Sequence, residues 1–235
     1  LDENPKSKFS EEEAFNNATL TYVNSVANVY SAIGDGLYGG TDNVQTLEEF
    51  ISDATMLPGR QGDWVDGGKW QNMFLHNFES SVDIYATVWN HLFKIIGLCN
   101  SSIDKLTPML TAHPDYKTYI AELRALRAAM DFYAQVPIVT SSQQSTSDVK
   151  QSNRSDVFKF VTSELDEAMP DLSAGHCQNT GEYYGRMTKA VAYMCLAKCA
   201  INAPVFTIDA TSMDSYKMFV GDDMSKEAKA SETLG

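Results

Sequence analysis

The sequence predicts a mostly all-α molecule of stacked helical hairpins with long irregular loops, and three observations carry that prediction. The first is the stretch 116–140, YKTYIAELRALRAAMDFYAQVPIVT. In it Tyr119, Leu123, Leu126, Met130 and Tyr133 recur at helical spacing and form a large apolar face. Ala121, Ala125, Ala128 and Ala129 form a second, small face that lets another helix approach closely, so this helix is covered on two sides. The second observation is a set of further amphipathic stretches of similar length, separated by proline, glycine and polar connectors. The third is composition: 235 residues with 43% apolar content can bury a substantial core, as one large or two small domains.

Taken in order, residues 1–9 (LDENPKSKF) have no periodicity and read as an extended arm. Ser10 and Glu13 form a capping box. The helix after it buries Phe15, Ala18, Tyr22, Val23, Val26, Tyr30 and Ile33, and Gly34-Asp35-Gly36 is expected to end it. Residues 82–106 make a long helix with Tyr85, Val88, Trp89, Leu92, Ile96, Cys99, Ile103 and Leu106 inward, Asn100 as a buried amide and His91 on the solvated side. The connector 107–114 places Pro114 at the first turn of the organising helix. The two helices on either side of it are read as a hairpin of the tetratricopeptide kind, without that repeat's full consensus. Arg124 and Arg127 sit among apolar faces, so their guanidinium groups should bond carbonyls or carboxylates at the core edge. Pro137 turns Val136 extended, and Val-Pro-Ile-Val-Thr leaves as an extended segment. Residues 140–154 are a polar connector. Ser155 is expected to cap a helix that buries Val157, Phe158, Val161, Leu165 and Met169 before Pro170, with Glu164, Asp166 and Glu167 on its solvated side. Thr188 is expected to cap a last helix, 189–203, apolar nearly all round and therefore inside the array. After Thr207 the composition turns polar, and the final MSKEAKASETLG has no apolar face of its own.

Between 37 and 81 periodicity fails, and a loop of that length inside a compact domain is usually functional. Its centre, SDATMLPGRQGDWVDGGKW, uses Pro-Gly, Gly-Asp and Gly-Gly turn chemistry to space out Asp53, Arg60, Asp63, Trp64, Asp66 and Trp70. Sugars present apolar C–H faces rimmed by hydroxyls, so a sugar site needs flat aromatic platforms beside charged groups that make directed hydrogen bonds. This loop holds that mixture. The same residues also suit scaffolding, with Trp64 and Trp70 filling the gap between loop and helices and Asp53 paired with Arg60. Tyr183 and Tyr184, in the irregular stretch 174–184, are the next aromatic platform candidates.

The net charge of −13 argues against a nucleic-acid backbone or anionic lipid headgroups as partner. There is no run of eighteen apolar residues and no predicted membrane-spanning helix. Cys99, Cys177, Cys195 and Cys199 read as buried, inert thiols; His176 beside Cys177 matches no standard zinc spacing, so no metal is expected. No cofactor motif is present: no G-x-S-x-G, no H-E-x-x-H and no phosphate-cradling glycine loop, so the chain is not read as an enzyme. It opens on Leu1 rather than Met, which reads as a processed product.

AELRALRAAMDFY followed by VPIVT resembles the signature of the SusD/RagB family of Bacteroidetes surface glycan-binding lipoproteins. Further matches are Arg154 with VFKFVTSELDEA, Gly185-Arg186-x-Thr188-Lys189, Trp89 with Asn100 (Phe93 replacing the usual tyrosine), and Asn202-Ala203-Pro204-Val205-Phe206. One departure is that only Ala134 and Gln135 separate Tyr133 from Val136, where in the family a short aromatic and glycine-containing stretch usually intervenes. The resemblance implies that residues 1–235 form the N-terminal helical-repeat portion of a SusD-like protein. It implies that Leu1-Asp2-x-x-Pro5 follows a lipidated cysteine anchoring the protein at the outer membrane, facing outward. The function it implies is capture of an oligosaccharide or polysaccharide for a SusC-like TonB-dependent transporter. The glycan-contacting region of the family lies near the tryptophan loop, although the occurrence of such loops in members with different ligands favours scaffolding for the loop itself. RagB-like members that take peptides make a peptide-binding module the alternative. An α-helical glycoside hydrolase, the third class, needs two carboxylates facing one cleft.

Overall fold

The structure is a computed structural model and describes residues 17–52, 54–175 and 180–209. The expectations for the N-terminal arm and capping box, Phe15, Asp53, His176, Cys177 and the C-terminal tail from residue 210 lie outside the described residues. The fold is all-α, of the tetratricopeptide-like kind, with long irregular loops. Among the described residues extended pairing is limited to isolated bridges, Arg60 with Asp63 and Pro137 with Gln151. The chain divides into two compact units, Leu1–Leu106 and Thr107–Gly235.

The first unit holds α1 (Ala18–Tyr22), a π-helical turn (Val23–Ala27), α2 (Asn28–Tyr38), α3 (Val44–Ile51), α4 (Lys69–Phe74) and α5 (Asp83–Leu106). Asn17 starts α1 by accepting the Leu20 N–H at 3.1 Å. The buried Ser25 hydroxyl donates to Thr21 O at 2.6 Å, a back-bond of the kind that loosens a regular turn. The helix does not end at Gly34-Asp35-Gly36, as the glycines predict, but runs on to Tyr38. Gly36 is buried, and a Cβ there would meet His91 Cβ at 3.1 Å, so this glycine marks close approach of α2 to α5 rather than a stop. For the same reason His91, expected in solvent, is half-buried. On α5 the fully buried stripe is Ile84, Val88, Leu92, Ile95, Cys99 and Leu106. That is turned slightly from the predicted face, and Tyr85, Trp89, Ile96 and Ile103 are half-buried at its margin. Asn100 is buried, as expected. Two helices, α3 and α4, stand where sequence periodicity predicts only loop. Asn43 caps α3 by accepting the Thr46 N–H at 2.8 Å, and Val44, Leu47 and Met73 join the core.

The second unit is built on α6 (Tyr116–Ala129), α7 (Arg154–Ala168) and α8 (Lys189–Phe206), with α7 packed against both others. The organising helix is covered on two sides as its pattern predicts: Leu123, Ala125 and Ala128 are all buried. It ends at Ala129, short of the predicted Tyr133, and Asp131 just beyond it is held by both Nη atoms of Arg154 at 3.2 and 2.9 Å. Each long helix of the expected 82–106/116–133 hairpin finds its main partner within its own unit, α2 for α5 and α7 for α6. The extended segment after Pro137 forms as expected, with Ser152 N–H donating to Val136 O at 3.1 Å.

Arg124 and Arg127 bond carboxylates and a carbonyl, as expected. Arg124 reaches Glu164 and Glu167, each at 2.6 Å, and Arg127 reaches Thr140 O at 3.0 Å and also Glu164. Glu164 is thus not on a solvated side. Burial by itself would raise its pKa, but the two arginines outweigh that and hold the carboxyl below its ordinary value. Ser155 is inside α7 rather than its cap, and Asp209 takes its N–H at 2.8 Å and its hydroxyl at 2.6 Å. Thr188 does stand at the start of α8, but its buried hydroxyl makes no capping bond. The helix it precedes is not enclosed: among the described residues only Ala192 and Cys199 of α8 are buried, while Tyr193, Met194 and Ile201 are exposed. An all-apolar helix needs neighbours on every side, and α7 covers one.

Candidate functional site

The tryptophan loop of the first unit is shaped by its backbone. Arg60 and Asp63 pair through both peptide groups, N–H to O at 3.2 and 2.9 Å, and close a tight turn over Gln61 and Gly62. Gln61, Trp64 and Asp66 have φ of 52°, 57° and 40°. That left-handed region costs a side-chain-bearing residue about 1–3 kcal/mol at each position. Gly62, Gly67 and Gly68 also have positive φ, without that penalty. Asp63 Oδ1 accepts the Trp64 N–H at 3.1 Å, which helps hold the strained residue.

The two indoles do different things. Trp70, in the first turn of α4, is 3% exposed. Its ring lies 5.1 Å from Phe50 of α3, its Nε1 donates to Asp66 Oδ2 at 2.5 Å, and the Lys69 ammonium sits 4.9 Å from its centroid. Trp64 is 48% exposed, its ring 6.4 Å from that of Trp70 and tilted by 57°. Trp70 is therefore a post inside the unit, and Trp64 leans on it with about half of its surface exposed. Lys69 ties the loop to its surroundings by donating to Asp42 at 2.7 Å and to Asp83, at the start of α5, at 3.0 Å. Burial would lower the Lys69 pKa, yet the two aspartates overcome this and raise it. Its hydrogen bond in turn lowers that of Asp83.

Of the residues singled out by sequence, Arg60, Trp64, Asp66 and Trp70 come together here, with Asp63 among them. Arg60, Asp63 and Asp66 are exposed. Asp53 and its pairing with Arg60 lie outside the described residues. Tyr183 and Tyr184 belong to the second unit. Tyr183 is half-buried, packed so tightly on Gly175 that a Cβ there would lie 2.4 Å from its ring. Its other constraint is the Arg186 guanidinium, 5.0 Å from the ring centroid and itself held by Glu122 at 2.6 Å. Tyr184 is exposed. Lys69, Phe50 and His76 are the contributors sequence missed. His76 has a φ of 56° and places Nε2 2.9 Å from Ile51 O. The signal for α3, and so for Phe50, was present as Asn43 ahead of Val44, Leu47 and Ile51 at helical spacing.

Chemically the loop offers one flat apolar face, carboxylate acceptors at Asp63 and Asp66, and guanidinium donors at Arg60. Among the described residues no group of three or more His, Cys, Asp or Glu is arranged to hold a metal, and no helix is long and apolar enough to cross a membrane.

No protein-family model and no curated protein matches the chain. Solved structures do. A SusD homolog from Bacteroides thetaiotaomicron aligns with a TM-score of 0.66 at 19% identity, over 90% of this chain and 42% of its own. A SusD-like protein described as laminarin binding aligns at 0.64 and 22% identity, over 80% of this chain and 41% of its own. A SusD-like protein from Bacteroides fragilis aligns at 0.62 and 20% identity, over 83% and 37%. The chain spans about two-fifths of the length of these structures. Its fold is that of SusD-like proteins.

Proposed function

We propose that the chain is part of a cell-surface glycan-binding protein of the outer membrane, lipid-anchored at its N-terminus, which delivers oligosaccharide to a SusC-like TonB-dependent transporter and has no catalytic role. The observation that carries this reading is Trp64: a large indole kept half in solvent at a backbone angle unfavourable to it, in a loop that also carries the exposed Arg60, Asp63 and Asp66. Burying an indole is favourable and left-handed φ is not, so an exposed indole at a left-handed φ supports reading its free surface as a contact surface. A pyranose stacked on Trp64 would place hydroxyls within reach of Asp63, Asp66 and Arg60. Trp70 supports the platform, and the likeness to SusD-like structures, one described as laminarin binding, agrees with a sugar ligand. Titration of the full chain with soluble glycans tests this. Trp64→Ala should abolish binding of whichever glycan binds, with the folded state retained by circular dichroism; retained binding in Trp64→Ala would overturn the role assigned to the loop.

A second reading, a peptide-binding RagB-like or tetratricopeptide-type module, draws on the exposed Tyr193, Met194 and Ile201 of α8. Peptide binding that persists in Trp64→Ala and is lost in Ile201→Asp would favour it. Co-purification with a TonB-dependent transporter tests the partnership.

A further inference from the structure

The charges around the tryptophan loop narrow the class of ligand, on the condition that the glycan reading above is right. Residues 42–83 carry eight Asp or Glu against two cations, Arg60 and Lys69. Lys69 is spent: its ammonium is bonded to both Asp42 and Asp83 and lies over Trp70. At the exposed indole itself the immediate neighbours are acidic. Asp63 is adjacent in sequence and bonded to its peptide N–H, and Asp66 is bonded to the Trp70 indole that Trp64 leans on. An ionised carboxylate accepts hydrogen bonds and donates none, so these two groups suit sugar hydroxyls and oppose sulfate or carboxylate substituents.

We propose that this face selects uncharged oligosaccharides and rejects sulfated or uronate-bearing ones. Arg60 remains to bond a ring or hydroxyl oxygen, but one guanidinium does not offset the surrounding carboxylates. At the contact distances of a stacked sugar, each added anionic group should weaken binding about fivefold in low salt, and less as salt screens it.

The test is native affinity electrophoresis of the full chain through gels holding matched polymer pairs: laminarin and laminarin sulfate, dextran and dextran sulfate, hydroxyethyl-cellulose and carboxymethyl-cellulose. The expected result is retardation by a neutral polymer and at least about fivefold weaker retardation by its charged partner at low salt. That gap should narrow in 0.5 M sodium chloride, on the order of a threefold shorter screening length, and in Asp63→Asn. Equal or stronger retardation by the charged partner would overturn the selectivity while leaving glycan binding intact. A gap unaffected by both salt and Asp63→Asn would overturn the electrostatic cause. Retardation by no polymer of either kind would overturn the glycan reading, and this inference with it.

Discussion

The tryptophan loop of the first unit and the α6–α7 pairing of the second use charged and aromatic groups for opposite ends. In the second unit several ion pairs are inside. Arg127 and Glu164 meet with side chains 5% and 10% exposed, Arg186 and Glu122 with 10% and 2%, Arg154 and Asp131 with 8% and 11%. Each pair joins segments far apart in sequence, and buried pairs of this kind fix which surfaces meet more than they add net stability. In the first unit Lys69 bridges two aspartates, Asp42 and the exposed Asp83, and Trp64 is half-exposed at a left-handed φ. One region encloses its charged pairs and the other leaves an indole and carboxylates at the surface, and substitutions should separate the two.

The largest effect is expected at Glu164. Glu164→Ala leaves Arg127 buried without its carboxylate and should lower stability by about 3–5 kcal/mol, read as a shift of the urea midpoint, with no change in glycan binding. The same pair sets a pH dependence. Because the folded Glu164 carboxyl is held below its ordinary value of 4.5, its contribution is complete above pH 4.5 and is lost as pH falls through the lowered folded value. The gap in midpoint between the wild type and Glu164→Gln should therefore close on acidification below that value; a gap that widens would contradict the pairing.

A comparable loss is expected at the post of the loop. Trp70→Ala empties a site that is 3% exposed and should cost about 3–5 kcal/mol, with glycan binding falling as well because Trp64 loses its support. A Trp70→Ala protein as stable as the wild type would remove the distinction between the two indoles. The smallest effect is expected at Asn43, whose side chain caps α3 and also donates to Gly40 O at 2.9 Å. Asn43→Ala should cost about 1 kcal/mol, measured by urea denaturation, and leave the unfolding of the second unit unchanged.

Much of this contrast was legible in sequence and part was not, for physical reasons. The two-sided character of residues 116–129 was legible because alanines and bulky residues alternate at helical spacing. The capture of Arg124 and Arg127 was legible because guanidinium groups among apolar faces require acceptors. The identity of the acceptor was not: Glu164 stands 40 and 37 positions away, among acids that look like an ordinary solvated strip. Gly34 and Gly36 carried a stop signal that tertiary packing overrode, since Gly36 serves contact with His91. In the loop, the grouping of Trp64, Asp66, Arg60 and Trp70 was readable from turn chemistry. Which indole is enclosed was not, because that depends on α3 delivering Phe50 to Trp70 and on three non-glycine residues adopting positive φ. Residue type favours neither.

We infer that Trp64 is held out of the core, against backbone preference, to meet a sugar. Thermal unfolding of the wild type and Trp64→Gly, each with and without a glycan the wild type binds, tests it most directly. Glycine relieves the left-handed φ but gives up the part of the indole packed near Trp70, so the two effects oppose each other in the midpoint without glycan, and added glycan should raise the wild type alone. A variant that glycan stabilises as much as the wild type would contradict this role for Trp64.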